Sequence, residues 1–322
     1  MKGGSNWLRF LVRLTGPALL ILVIWSLDDR AALWEAVKHA SWLPLAAAIA
    51  LIIPVIHLKV ARWQGLLAAR GFAYPLRRTY AAVLPSLYLG MLTPGRVGDA
   101  LRIQYVHREI DVPYSDGLAT TVMDRFSDLY VVALVAAFGL VHFASILRGD
   151  LAQATWVAVA IALIAPLLLM VRGPADLFGW VLRRLTDRWH ESYGNVLRSM
   201  RSLVRKCLTL AIPLTAAAFA INYVQGWLIA RAIGVDLSYL DVASLLSATS
   251  LLGLMPISIA GIGVRELFLA LVFPALGLPA AQGVAFGLLI FVCINLSTVL
   301  VGFVAWQIAP PPVGASEPDA SF

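Results

Sequence analysis

Pro94-Gly95-Arg96-Val97-Gly98-Asp99 interrupts an apolar stretch in the first half of the chain, and Gly261-Ile262-Gly263-Val264-Arg265-Glu266 does the same in the second. Each break joins a glycine-loosened backbone to one arginine and one acid. Everything around them is greasy. Their fold therefore depends on what kind of chain surrounds them.

The 322 residues are 60% hydrophobic and 13% charged, with a mean hydropathy of +0.83. A soluble domain carries about one-quarter charged residues. Runs this long leave a soluble protein nowhere to hide its apolar surface, so the chain is expected to be an all-α polytopic membrane protein. The net charge of +7 does not point to nucleic acid, because the cations fall in loops between apolar spans, as they do when charge sets membrane orientation. Cys207 and Cys293 both lie in expected spans, which implies no disulfide framework. Lys2, Arg9 and Arg13 precede the apolar stretch 14–27. Trp25-Ser26-Leu27 makes a poor cleavage site for a signal peptide, so a retained first helix is expected.

A hydrocarbon core of about 30 Å takes about 20 apolar residues per helix. Six stretches meet this: 8–27, 42–63, 116–145, 152–171, 207–230 and 281–308. Two more apolar regions, 79–110 and 240–277, are split near their middles by Pro and Gly, and neither part is long enough to cross alone. Irregular backbone survives at membrane depth only where protein or a watery cavity satisfies it. Both regions read as re-entrant helical hairpins.

With the N-terminus inside, segments 1–13, 59–108 and 172–206 hold 19 of the 25 Lys and Arg. The external loops hold Arg30, Lys38, Arg148 and Arg231, while Arg125 and Arg265 fall within apolar segments. This asymmetry places both termini in the cytoplasm. Residues 1–151 then give helix, helix, hairpin, helix, and residues 152–309 repeat that order with the hairpin entering from the opposite face. Inverted repeats of this kind bind substrate near the midplane, at the repeat interface. Segment 172–206 interleaves arginines with Trp180, Trp189 and leucines, as in an amphipathic helix on the cytoplasmic leaflet. It serves either as a topological anchor or as a holder of anionic headgroups. The tail 310–322, opening with three prolines, reads as disordered.

Three constellations could carry chemistry. At the first break a helix restarting near Asp99 offers unpaired N–H groups near Gly98 and a positive dipole end to an anion. Arg96 and Arg102 add guanidinium forks suited to phosphate, and Asp99 could cap that helix or neutralise an arginine. At the second break, Arg265 and Glu266 sit where a charge costs roughly 2.5–3.5 kcal/mol. Being adjacent on a helix, they point to different azimuths, so each is expected to seek a separate partner. The third is Asp124-Arg125-Phe126-Ser127-Asp128, in which an Arg125–Asp128 pair would free Asp124 for another helix. A buried structural lock and a set of carboxylates that release arginines are both open for it. Asn222, Tyr223, Gln225, Asn295, Ser297 and Thr298 are weaker signals that ordinary interhelical hydrogen bonds explain equally well. His57, His107 and His142 lack metal-ligand spacing, and no nucleophile, Walker or dinucleotide motif appears. No metal, cofactor or enzyme activity is expected.

Taken in order, the three motifs resemble the transmembrane, flippase-like domain of the lysylphosphatidylglycerol synthase family. That family's pattern runs Pro-Gly-Arg-x-Gly-Glu with a following Arg, then Glu-Arg-x-x-Asp, then Pro-x-Ser-Ile-Gly-Gly-x-Gly-x-Arg-Glu. Here Asp replaces Glu at 99 and 124, and Ala260 replaces a glycine. The likeness spans roughly 10–308, and the soluble aminoacyl-transferase domain of full-length synthases is absent from it. The resemblance implies lipid translocation in a bacterial inner membrane. Arg96, Gly98, Arg102, Gly263 and Arg265 would bind a lipid with an anionic or phosphate headgroup. Asp99, Asp124, Arg125, Asp128 and Glu266 would act as counter-ions or gates. The rival reading is a non-transporting scaffold or regulator of a lipid or glycan synthase.

Overall fold

A computed structural model describes residues 20–27, 30–143, 190–253 and 261–311 and positions 156, 157, 160 and 164. The expected span 152–171, most of 8–27, the basic segment up to 189, the second hairpin's tip at 254–260 and the tail from 312 lie outside them. Four helices are long and apolar enough to cross a membrane: Trp42–Ala69, Tyr114–His142, Gly194–Ala232 and Ala280–Ile308. They coincide with four of the six expected spans, and no strand occurs among the described residues. The chain is an all-helical polytopic membrane protein.

The chain builds α1 (Arg30–Lys38), α2 (Trp42–Ala50) and α3 (Ile52–Ala69). The first hairpin follows as α4 (Leu76–Leu92), a tight 3-10 turn over Pro94–Ala100, and α5 (Leu101–Ile110). Next come α6 (Tyr114–His142) and α7 (His190–Lys206), which passes through a π turn at Cys207–Ala211 into α8 (Ile212–Ala232). The second hairpin is α9 (Tyr239–Leu252) and α10 (Val264–Ala275). The chain closes with α11 (Ala280–Ile290), a π turn at Phe291–Leu296 and α12 (Ser297–Ile308).

Two boundaries differ from the sequence reading. The second span continues past residue 63 to Ala69, because Lys59 and Arg62 end the apolar run without ending the helix. The described part of the basic segment is not a separate surface helix. It runs unbroken into the fifth span and buries Leu197, Met200 and Leu203. Local chemistry sets the hairpin limits. Ser238 starts α9 by accepting the Asp241 N–H at 3.1 Å while the Asp241 carboxylate accepts the Ser238 N–H at 2.9 Å, a capping box. At 1.5 Å per residue, α4 rises about 26 Å and α5, α9 and α10 about 15, 21 and 18 Å. All stop short of the ~30 Å core.

Packing is crossed between the halves. Hairpin helix α4 lies along α12, and hairpin helix α9 lies along α6. Both crossings close on a glycine. A Cβ at Gly139 would stand 2.7 Å from the Ser244 Cβ, and one at Gly302 would stand 2.6 Å from the Leu84 carbonyl oxygen. With no hydrophobic drive between helices in lipid, small residues that admit close backbones do this work. Side chains tie the same crossings. Tyr88 meets Phe303 and Trp306 edge-on, the Tyr105 hydroxyl donates to the Ala309 carbonyl at 2.8 Å, and His142 Nε2 lies 2.7 Å from Asp241 Oδ1. Between the crossings, α2 and α3 pack on α8, where Gln225 donates to the Ala48 carbonyl at 2.7 Å. Gly302→Leu is expected to lower stability by about 1–3 kcal/mol by overpacking this seam. Its melting temperature in detergent measures this, and wild-type melting would mean the crossing is loose.

Candidate functional site

The first break folds back on its own hairpin. Thr93 Oγ1 donates to the Leu89 carbonyl at 2.9 Å and accepts the Gly98 N–H at 2.8 Å. A Cβ at Gly98 would sit 2.4 Å from the Leu89 carbonyl carbon, so only glycine fits. One residue later the chain delivers Asp99 against Gly90, where an added Cβ would lie 2.4 Å from Asp99 Oδ1. Gly90 thus clears a berth for a carboxylate that is 3% exposed. The turn holds Arg96 at φ +57°, in the left-handed region that non-glycine residues seldom occupy.

That turn faces the third constellation on α6. Asp124 Oδ1 accepts Arg62 Nε at 2.6 Å, and Asp124 Oδ2 accepts Arg102 Nη2 at 2.8 Å. Asp128 accepts Arg62 Nη1 at 2.5 Å and Arg125 Nη1 at 3.1 Å. Arg125 Nε also stands 3.1 Å from Asp99 Oδ2. Arg62 Nη1 further donates to Thr215 Oγ1 on α8 at 2.5 Å, and the Arg102 guanidinium lies 5.1 Å over the Trp63 ring. One network therefore joins α3, the turn and second helix of the first hairpin, α6 and α8. The expected Arg125–Asp128 pair forms, and Asp124 serves other helices as that pairing implied. Asp99 faces an arginine and makes no cap bond, because α5 starts beyond it at Leu101.

Arg96 stands apart. Its backbone N–H donates to the Thr93 carbonyl at 3.1 Å, but its side chain is exposed and makes no hydrogen bond or ion pair among the described residues, although Arg125, Asp99 and Asp128 all act on it electrostatically. Lys59, one turn before Arg62, lies within the field of Asp128 and Arg96. Among the described residues, Lys59, Arg62, Arg96, Arg102 and Arg125 thus face only Asp99, Asp124 and Asp128. The cluster has fewer negative charges than positive ones.

The second break is built differently from the sequence reading. Arg265 and Glu266 pair with each other, Glu266 Oε1 accepting Arg265 Nε at 3.0 Å and Nη2 at 2.7 Å. Glu266 is the third residue of α10, and its Oε2 reaches back to the Gly263 N–H at 2.6 Å. This capping turn swings the carboxylate to the helix start, where the long arginine wraps onto it, so helical azimuth does not decide the pairing. Gly263 holds φ +84° to make the turn. Phe291, in the second π turn, lies 5.9 Å beneath the Arg265 guanidinium. The first π turn likewise abuts the main network, with Cys207 Sγ 3.3 Å from Ser127 Oγ. Single π turns in long helices recur at functional sites.

Neither glycine amide at the breaks is free for an anion, since Thr93 takes one and Glu266 the other. No hydrogen bond or ion pair among the described residues joins Arg265 or Glu266 to the Arg62 network. Sequence reasoning missed Arg62, Lys59 and Thr215. The signal for Arg62 was its place beside Trp63 within the buried stripe Val55, Val60, Trp63, Leu66 of one helix.

Among known families, the model of the lysylphosphatidylglycerol synthase TM region matches residues 9–302. A UPF0104 membrane protein of Methanocaldococcus jannaschii is 21% identical over 266 residues, covering 77% of this chain and 79% of its own. A UPF0104 membrane protein of Methanothermobacter thermautotrophicus is 23% identical over 251 residues, covering 71% and 74%. No solved structure matches the chain significantly.

Proposed function

We propose, for a chain that belongs to the lysylphosphatidylglycerol synthase TM region family, that it moves a lipid with a phosphate-bearing or anionic headgroup between the leaflets of the cytoplasmic membrane. The observation that carries this reading is Arg96. Its side chain is exposed and, among the described residues, unpaired on a left-handed backbone, beside a buried cluster whose cations outnumber its carboxylates. An anionic headgroup supplies the missing charge, and the arginine fork binds phosphate in two-point fashion. Strained, non-glycine backbone concentrates at ligand clamps. The crossed packing of the two hairpins supports an inverted repeat, in which rocking of one unit against the other alternates access. Asp99, Asp124 and Asp128 then hold the arginines until the headgroup arrives.

The test is transport of fluorescent phosphatidylglycerol in proteoliposomes, read by quenching of one leaflet. Arg96→Gln is expected to slow transport at least tenfold while its melting temperature stays at the wild-type value. An equal rate in that variant overturns the role of Arg96. Absence of transport by the wild-type protein overturns translocation itself and favours a scaffold.

A further inference from the structure

An apolar groove of about 400 Å³ opens between α6, α8 and α9, lined by Val131, Leu134, Phe138, Ala220 and Leu240 among others. Its few polar atoms are already engaged. The Tyr223 hydroxyl lies 2.7 Å from Ser247 Oγ, and the Tyr239 hydroxyl donates to the Ala220 carbonyl at 3.1 Å. A sugar, nucleotide or ion would find no partner there. A single hydrocarbon chain suits a groove of this volume and apolar lining.

The position of the groove specifies the chain. Val131 lies one turn beyond Asp128 on α6, and Ala216, which lines the same groove, follows Thr215, the α8 partner of Arg62. The apolar stripe through Val131, Leu134 and Phe138 thus continues directly from the charged network. From Asp128 to Phe138 the helix rises about 15 Å, half of the ~30 Å hydrocarbon core and so the depth of one leaflet. A groove that is apolar for one leaflet's depth and begins one helical turn from the charged network suits the tail of an amphiphile.

We infer that this groove holds one acyl chain of the lipid whose headgroup sits on the Arg62–Asp128 cluster, an inference that rests on the headgroup reading of that cluster. The headgroup lies toward the end of α6 where Arg70 pairs with Asp116 at 2.8 Å beside α7. The tail points toward the His142 end. The bound lipid has the orientation of the leaflet on the basic side of the protein, and it loads from there without inverting its tail.

The test uses the full chain in nanodiscs containing phosphatidylglycerol with a photoactivatable diazirine midway along one acyl chain, with labelled positions mapped by mass spectrometry. Labels are expected to concentrate on Leu134, Phe138 and Ala220. Ala220→Trp and Leu240→Trp, both on the open side of the groove, should each cut this labelling at least tenfold with unchanged melting. Arg96→Gln should also reduce it. Even labelling of lipid-facing positions such as Leu300 and Phe303, indifferent to both tryptophan variants, would overturn the groove. Groove labelling that is equally strong with a diazirine diacylglycerol and in Arg96→Gln would keep the groove but overturn the headgroup reading.

Discussion

Asp124→Asn is expected to destabilise the folded protein by about 3–5 kcal/mol, the cost of leaving a buried charge without its partner. The residue is 1% exposed and holds two arginines at once. Arg62 keeps Asp128 and Thr215 in the variant. Among the described residues, Arg102, 2% exposed, then has no carboxylate within ion-pairing distance, and its Nε already lacks an acceptor. The loss should therefore fall mainly on Arg102. Pairing the change with Arg102→Met, which removes the orphaned cation, should recover most of the lost stability, and a double-mutant cycle in detergent unfolding isolates that coupling. Asp124→Glu keeps the charge and is expected to cost much less. Wild-type unfolding of Asp124→Asn would show that the network does not stabilise the bundle.

Gly98→Ala is the smallest change expected to open the first hairpin. Its methyl carbon would meet the Leu89 carbonyl carbon at 2.4 Å and the Gly90 nitrogen at 2.7 Å. Those are backbone atoms of α4, not flexible side-chain ends that swing aside. Overpacking of this kind costs about 1–3 kcal/mol, occasionally more. Relief means moving the turn off α4, which also carries Asp99 away from Arg125 and Arg96 away from the cluster. Transport should fall with stability. Gly194→Ala is the control, since nothing lies within 4 Å of an added Cβ there. It should be neutral or stabilising by up to about 1 kcal/mol, the preference of a helix interior for Ala over Gly.

The parts of the site that were legible in the sequence are those fixed by short-range spacing. Asp124, Arg125 and Asp128 share one helix, so their i, i+3 and i, i+4 relations gave the Arg125–Asp128 pair directly. Arg62 was not legible because a cation at the end of an apolar run looks the same whether it snorkels to the surface or turns inward. Only the prolongation of α3 to Ala69 places it inside. The Arg265–Glu266 pair was misread for the opposite reason. Periodicity separates neighbours on a helix, but a capping turn at the helix start is governed by the unpaired N–H of Gly263, which periodicity ignores. The shortness of α4, α5, α9 and α10 was legible from the breaks in their apolar runs. Their exchange of partners, α4 on α12 and α9 on α6, depends on contacts across the whole chain that no local pattern encodes.

That exchange sets a timetable for synthesis. Leu84 and its seat at Gly302 are 218 residues apart in the chain. At about 5–20 residues per second, α4 waits roughly 10–45 s after it is made before α12 exists to receive it. Throughout that interval α4 keeps the face that will dock on α12 uncovered. A helix made 218 residues later thus completes the packing of α4, and the residue just after it, Ala309 against Tyr105, secures the same early hairpin.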